Sequence, residues 1–344
     1  MAEMEEVGIT WELTYHCGLH CVMCPFTELS DTYRVKQHYL DREQSIKVAE
    51  DILRFPARTR VTLTGGEAMF GQHFATVYEM LSSARRVHLL TNAIRITEDQ
   101  FALLEKYPPQ SITISLDGPE EIHDRVRGHE SAFRKSVANI ARLRAQAAPD
   151  TRFKINCTIN SLNIPHLSRL YDWCVQAGLD LQLQHLWFLD QQTQLESFAD
   201  VERDFTVLNK HQFSTSQVDA SLLDTLRQQL TALSGKVQLL PHVPDARIVE
   251  YYTNRTYFAN HSCSQVDHSV RIDPYGNVTP CLGIPFGNLK ERSLTDIYFS
   301  PMRKAFLDKV HDNLYAVCSR CCKNSGSALA SMPSCGDMLH APNA

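Results

Sequence analysis

The chain has 344 residues, 43% hydrophobic and 21% charged, with a formal net charge of −5. That composition is ordinary for a globular protein of one large domain, or of a large and a small one. There is no basic run with interleaved aromatics to mark a nucleic-acid surface, and no apolar stretch of membrane-spanning length. The start, Met-Ala-Glu-Met-Glu-Glu, is acidic and unlike a signal peptide, so a cytoplasmic protein with no membrane or nucleic-acid partner is expected. Eleven cysteines in a reducing compartment point to metal ligands rather than disulfides. Three fall at 17–24, two stand alone at 157 and 174, and six lie between 263 and 335.

In chain order, an alternating run Ile9-Thr-Trp-Glu-Leu-Thr14 predicts the first strand. It leads straight into Cys17-Gly-Leu-His-Cys21-Val-Met-Cys24. A loop of that spacing can wrap three thiolates around one face of an iron–sulfur cube and leave the fourth iron without a protein ligand. The alternative is a structural zinc knuckle with His16 or His20 as fourth ligand. A helix over 41–54 follows, opened by Asp41 and carrying Val48, Ala49, Ile52 and Leu53 on one face. Val61-Thr-Leu-Thr-Gly-Gly-Glu67 reads as a strand running into a glycine turn. Helices at 72–84 and 98–106 then alternate with strands at 87–91 and 111–116. A helix near 131–147, a strand at 152–160, a helix at 165–177 and a strand at 180–187 continue the pattern. Parallel strands need such helical crossovers, so the sheet should be parallel, with function at the carboxyl ends of its strands. Six units predict a partial, open (β/α)6 barrel. Cys157 and Cys174 fall on apolar faces and read as packing residues.

Residues 188–235 break the rhythm as a helical insertion or bridge. Asp190-Gln-Gln-Thr-Gln194 precedes two helices, the second striped by Val218, Leu222, Leu223, Leu226, Leu230 and Leu233. Cys263 follows, and then Ile272-Asp-Pro-Tyr-Gly-Asn-Val-Thr-Pro-Cys281, in which the Asp-Pro-Tyr-Gly-Asn turn makes a β-hairpin. A helix at 294–309 leads to Cys318-Ser-Arg-Cys321. The domain boundary is drawn at 235/236.

The CxxxCxxC loop, placed after a first strand and followed by Pro25-Phe26, resembles the radical S-adenosylmethionine (SAM) superfamily. That resemblance implies a [4Fe–4S] cluster on Cys17, Cys21 and Cys24, whose open iron chelates SAM, and independently implies the partial barrel. Gly65-Gly66-Glu67 looks like the family's GGE motif, which contacts the SAM amino group. Glycines let backbone carbonyls approach a ligand, and Glu67 adds an acceptor for an ammonium. Ser115-Leu-Asp-Gly-Pro119 followed by His123-Asp-Arg-Val-Arg127 resembles the family's fourth-strand segment. There a serine and an arginine, here Ser115 and Arg127, help hold the SAM carboxylate and ribose, with an exposed surface arginine as the alternative. Met23 occupies a position that packs near adenine, and Leu186 and Trp187, at the end of the sixth strand, either do the same or pack in the core. A fifth-strand GxIxGxxE-type motif is not recognisable.

Cys263 and Cys281, with twelve residues before Gly276 and four after, resemble the start of a SPASM or twitch domain, so a small α+β domain of that type is expected over 236–344. Together with Cys318 and Cys321 they supply four ligands for an auxiliary [4Fe–4S] cluster; zinc is the alternative. No CX5CX3C continuation follows, which favours the twitch type with one such cluster, and Cys335 is an alternative ligand. Cys322, adjacent to Cys321, either packs quietly or faces the substrate as a hydrogen-atom donor. The family mechanism implies an enzyme that reductively cleaves SAM to a 5′-deoxyadenosyl radical and abstracts hydrogen from a substrate carbon. It draws electrons from a flavodoxin- or ferredoxin-type reductant. The first strand begins by residue 9, leaving no room before it for a peptide-recognition domain. A small natural-product intermediate (sugar, aminocyclitol or nucleoside) is therefore preferred as substrate, for dehydrogenation or epimerisation. A ribosomally made peptide or protein side chain is the alternative, and a non-enzymatic electron-transfer protein the distant one.

Overall fold

In a computed structural model the described residues are 6–24, 39–84, 86–187, 191–207, 217–254, 257–258, 263–281, 283–312, 314–316, 318 and 321. β1 (Val7–Glu12), β2 (Thr59–Thr64), β3 (Arg86–Thr91), β4 (Ser111–Ser115), β5 (Arg152–Ile159) and β6 (Asp180–His185) pair in chain order, each parallel to the next. The crossovers are α1 (Arg42–Arg54), α2 (Phe74–Ser82), α3 (Glu98–Lys106), α4 (Glu120–Arg127) with α5 (Ala132–Gln146), and α6 (Leu167–Ala177). This is the partial barrel expected from the periodicity, with all six carboxyl ends at one rim.

Local chemistry explains the element boundaries. Asp41 caps α1 in a reciprocal box with Gln44: the Gln44 amide donates to Asp41 Oδ1 at 2.8 Å, and the Asp41 amide donates to Gln44 Oε1 at 3.1 Å. Gly178, at φ +62°, ends α6 in the left-handed conformation that glycine adopts without a Cβ clash. Along each strand the side chains alternate between two unlike faces. Ile9, Trp11, Val61, Leu63, Leu89, Ile112, Ile114, Ile155 and Leu183 face the helices and are buried. Cys157 and Cys174 lie in this same core, with Cys157 Sγ accepting from Asn163 Nδ2 at 3.4 Å. The opposite, concave face carries Thr10, Glu12, Thr62, Thr64, His88, Thr113, Ser115, Lys154, Asn156, Thr158, Gln182 and Gln184. Side-chain bonds tie it together: Gln182 Nε2 donates to Asn156 Oδ1 at 2.7 Å, and Lys154 Nζ to Gln238 Oε1 at 2.9 Å. Leu90 is the large apolar exception on that face of β3 and is 39% exposed.

Several elements differ from the sequence reading. The sheet has ten strands in the order β10-β9-β8-β1-β2-β3-β4-β5-β6-β7. β7 (Gln238–Leu240) adds a seventh parallel strand beside β6. The expected hairpin, β8 (Ser269–Ile272) and β9 (Asn277–Thr279), forms, but β8 also pairs parallel to β1, so the hairpin continues the barrel sheet. β10 (Gly287–Asn288) completes that edge. α4 was not anticipated. β6 ends at His185, so Leu186 and Trp187 follow the strand instead of ending it. α7 (Gln191–Asp204) takes in most of the polar stretch that was expected to precede it, and α8 (Leu223–Leu233) is the anticipated leucine-striped helix. A short α9 (Ile248–Thr253) precedes the hairpin. The helix expected over 294–309 is two, α10 (Leu294–Tyr298) and α11 (Pro301–Asp312), because Pro301 starts a new helix and cannot continue the old one. Among the described residues no helix is long and apolar enough to cross a membrane.

The two faces of β3 provide a direct test. Leu89→Ala, in the packed face, should cost about 2–5 kcal/mol in urea unfolding. Leu90→Ala, one residue on, should cost about 1 kcal/mol or less. Equal losses would contradict the assignment of faces.

Candidate cluster and cofactor site

At the rim, the chain leaving β1 is held by the turn that leaves β2. Leu13 N donates to Thr64 O at 3.0 Å, Gly66 N to Thr14 O at 2.7 Å, and Glu67 N to His16 O at 3.0 Å. A Cβ on Gly65 would lie 2.2 Å from Thr14 O, and one on Gly66 2.6 Å from the carbonyls of Tyr15 and His16. The glycine pair is therefore required by the approach of two backbones, a role that the sequence reading did not give it. From the other side, α4 clamps the cysteine loop. Val22 N donates to Val126 O at 3.0 Å, and a Cβ on Gly128 (φ +61°) would lie 2.7 Å from His20 O.

Three thiols are gathered between these clamps. Cys21 is buried and Cys17 and Cys24 half-buried. Burial pushes Cys17 up to about 12, reinforced by charge on Glu67, Cys21 and Cys24. Cys21 is also raised, by burial first, with Arg127 opposing. Sulfurs close enough to repel as thiolates, in a site poor in water, form a donor set that suits a cationic group. Two of them already receive N–H donors: Asn92 Nδ2 lies 3.6 Å from Cys17 Sγ, and Arg127 Nη1 3.7 Å from Cys21 Sγ. Among the described residues no three His, Cys, Asp or Glu side chains converge on a single-ion position. Leu19, Cys21, Met23, Ile122, Val126 and Leu186 form one apolar cluster beside the loop, with Cys17, Cys24 and Tyr252 against it. Met23 and Leu186 are thus brought to the thiols, while Trp187 packs on the main core.

Around the thiols lies a set of buried charges. Glu67 accepts from Asn92 N at 2.8 Å and from Met69 N at 3.4 Å, capping the 3-10 turn Ala68–Phe70; burial pushes it up to about 7. Arg127 is buried in α4, not exposed, and pairs with Asp117 at 2.6 Å. Asp117 is fully buried, and its Oδ1 accepts from Thr158 N at 3.0 Å. Its carboxyl is raised by burial, with Arg127 opposing. The Asp117 amide donates to His123 Nδ1 at 3.0 Å, and burial pushes His123 down to about 2, so this ring is neutral. Ser115 is half-buried on the concave face, paired in register with Asn156. Sequence reasoning missed Asn92, Asp117 and His123; the latter two lay inside the quoted segment, but nothing local showed which neighbours they would meet.

The second cysteine set also comes together. Cys263, Cys281, Cys318 and Cys321 are all half-buried. Cys318 is pushed well above the usual thiol range by burial first, then by Cys281, Cys321 and Cys263. Cys318 thus feels charge on each of the other three, and four thiols match a four-ligand cluster in donor chemistry. Cys322 and Cys335 lie outside the described residues.

The family model for the radical SAM superfamily matches residues 11–170, and that for the SPASM iron–sulfur cluster-binding domain matches residues 263–322. The chain carries a radical SAM domain followed by a SPASM iron–sulfur cluster-binding domain. Its cofactors are accordingly a [4Fe–4S] cluster, SAM and at least one auxiliary iron–sulfur centre. The chain is similar to the sporulation killing factor maturation protein SkfB of Bacillus subtilis, 24% identical over 294 residues, covering 85% of this chain and 64% of SkfB. It is also similar to the PqqA peptide cyclase of Methylocella silvestris, 24% identical over 318 residues, covering 88% of this chain and 77% of that one. Among solved structures, anSMEcpe with bound AdoMet superposes with a TM-score of 0.62 at 15% identity, over 97% of this chain and 95% of that one, which shows the shared fold.

Glu67 gives the radical SAM site a pH signature in the metal-free chain. A carboxyl raised from the ordinary 4.5 to about 7 binds its proton more tightly folded than unfolded. Its contribution is therefore present below about pH 4.5 and lost as pH rises through about 7. Relative to Glu67→Gln, the wild-type chain should lose stability across that window in denaturant unfolding; a pH-independent difference would contradict the burial.

Proposed function

We propose that this enzyme is a radical SAM maturase that acts on a carbon of a peptide substrate. The observation that carries the reading is the pairing of a three-thiol rim site and a polar, open concave face with relatives named for maturation and peptide cyclisation. The small natural-product intermediate preferred from the sequence gives way to this alternative. The chain spans 64% of SkfB, so the activity of the whole relative is not carried over with its name.

In this reading Cys17, Cys21 and Cys24 hold the SAM-binding cluster, and Cys263, Cys281, Cys318 and Cys321 hold an auxiliary one. When bound, the cluster and SAM together supply a 5′-deoxyadenosyl radical on reduction. The protein's own residues bind and aim. Met23 and Leu186 offer an apolar wall for adenine, and the Gly65-Gly66-Glu67 turn and Ser115 border the amino-acid end. Arg127 presents positive charge to the thiol loop. Thr113, Asn156, Thr158 and Gln184 offer hydrogen-bonding partners that suit peptide amides, and Leu90 offers a single apolar contact. Reducing equivalents come from a flavodoxin- or ferredoxin-type protein. Cys322 stays a candidate hydrogen donor on sequence grounds alone, and residues 1–235 and 236–344 are taken as barrel and auxiliary domain.

Two measurements test the reading. Anaerobically reconstituted protein should hold about eight irons, and Cys17→Ala/Cys21→Ala/Cys24→Ala should keep about four while losing 5′-deoxyadenosine formation. SAM cleavage that survives in the triple variant would overturn the ligand assignment. With deuterated precursor peptides, deuterium should appear in 5′-deoxyadenosine; transfer only from deuterated small molecules would return the substrate to the sugar or nucleoside class.

A further inference from the structure

A single chain of polar contacts runs from β5 to the cysteine loop. Thr158 N donates to Asp117 Oδ1 at 3.0 Å, Asp117 Oδ2 meets Arg127 Nη2 at 2.6 Å, and Arg127 Nη1 lies 3.7 Å from Cys21 Sγ. The three side chains come from three different places: the turn after β4, the last turn of α4 and the loop after β1. All are buried: Asp117 at 0%, Cys21 at 7% and Arg127 at 8% exposure. Burying an ion pair in this way contributes little to stability compared with apolar residues of the same volume. Anchoring the loop does not need it either, since the Val22–Val126 backbone bond and the Gly128–His20 contact already do so.

What the pair supplies is a charge of fixed sign at a fixed place. The guanidinium is aimed at a sulfur, and its counter-charge is held on the far side. His123, also packed against Asp117, is neutral, so no second cation competes for that carboxylate.

We propose that the buried Asp117–Arg127 pair sets the reduction potential of the cluster on that loop, Arg127 through its charge at the Cys21 sulfur and Asp117 as the carboxylate that opposes it. The proposal rests on the reading that Cys17, Cys21 and Cys24 ligate the cluster. A one-electron reduction adds one negative charge to the cluster and its thiolates. A nearby N–H donor bearing positive charge favours the reduced form, and a nearby carboxylate disfavours it. Removing the two members should therefore move the potential in opposite directions. A residue that served only to pack the loop would not produce that pair of signs.

The experiment is an EPR-monitored redox titration of the reconstituted 344-residue protein without SAM, the signal being identified in a parallel sample by its response to added SAM. Arg127→Gln should lower the midpoint, so that at fixed potential the reduced-to-oxidised ratio falls about tenfold, equivalent to about 59 mV for one electron. Asp117→Asn, which keeps the shape of the carboxylate, should raise it. Arg127→Lys, which keeps the charge but not the fork, should lie between Arg127→Gln and wild type. Pulsed EPR of reduced wild-type protein grown on 15N-arginine should show a guanidinium nitrogen coupled to the cluster, which needs no variant to fold. Unmoved potentials at full iron content, shifts of the same sign, or no arginine coupling would each overturn the proposal. A SAM-responsive signal that survives in the triple-cysteine variant would instead overturn the ligand reading beneath it.

Discussion

Beyond the last ladder pair of β1 and β2, three more backbone hydrogen bonds carry the two chains forward together. This is possible because Gly65 and Gly66 lack the Cβ atoms that would fall 2.2–2.6 Å from the carbonyls of Thr14, Tyr15 and His16. The cysteine loop therefore begins from a rigid edge one residue before Cys17. A side chain at either glycine would push the two chains apart, and the thiols would no longer face Asn92, Arg127 and the apolar cluster around Met23. The same turn places the Glu67 carboxylate on the amides of Asn92 and Met69, tying the ends of β2 and β3, while its backbone N–H holds the chain leaving β1 at His16 O. The site is built by the sheet, and the cysteines are added to it.

Electrostatic compensation is the second constraint. The rim holds Glu67, Asp117, Arg127, His123 and the thiols in a volume largely closed to water, where unpaired charge is costly. Asp117 and Arg127 pair, Glu67 takes backbone donors, and His123 stays neutral. The thiols are left with mutual repulsion and two N–H donors, a state that the binding of iron relieves. Below the rim the concave face is polar, and only part of it is tied together by its own side-chain hydrogen bonds. A hydrogen-bonding substrate can enter such a face without burying unpaired charge.

Legibility followed the range of the forces involved. The cysteine loop was readable because its chemistry is set by covalent spacing, and the parallel barrel because one face of every strand is apolar at a period of two. The pairing of β8 with β1 left no local mark, since it joins residues some 260 positions apart and spans four residue pairs. β7, only three residues long, gave no periodicity to read. α4 was hidden by its own motif: His123 to Arg127 read as ligand chemistry, while Pro119 before the helix and Gly128 after it are ordinary helix bounds. The break between α10 and α11 was available at Pro301 but was overridden by the apolar pattern on both sides. Arg127 was singled out from the sequence, yet its partner Asp117 required the fold, because the two meet only when α4 returns across the rim.

The central claim is that three thiols at the rim hold a cluster with one iron free for SAM. The most direct measurement is electron–nuclear double resonance on the reduced, reconstituted protein, with SAM labelled with 17O in the carboxylate and 15N in the amino group. Couplings from both labels to the cluster on Cys17, Cys21 and Cys24, absent in the triple-cysteine variant, are the result predicted. A cluster signal indifferent to both labels at saturating SAM would contradict it.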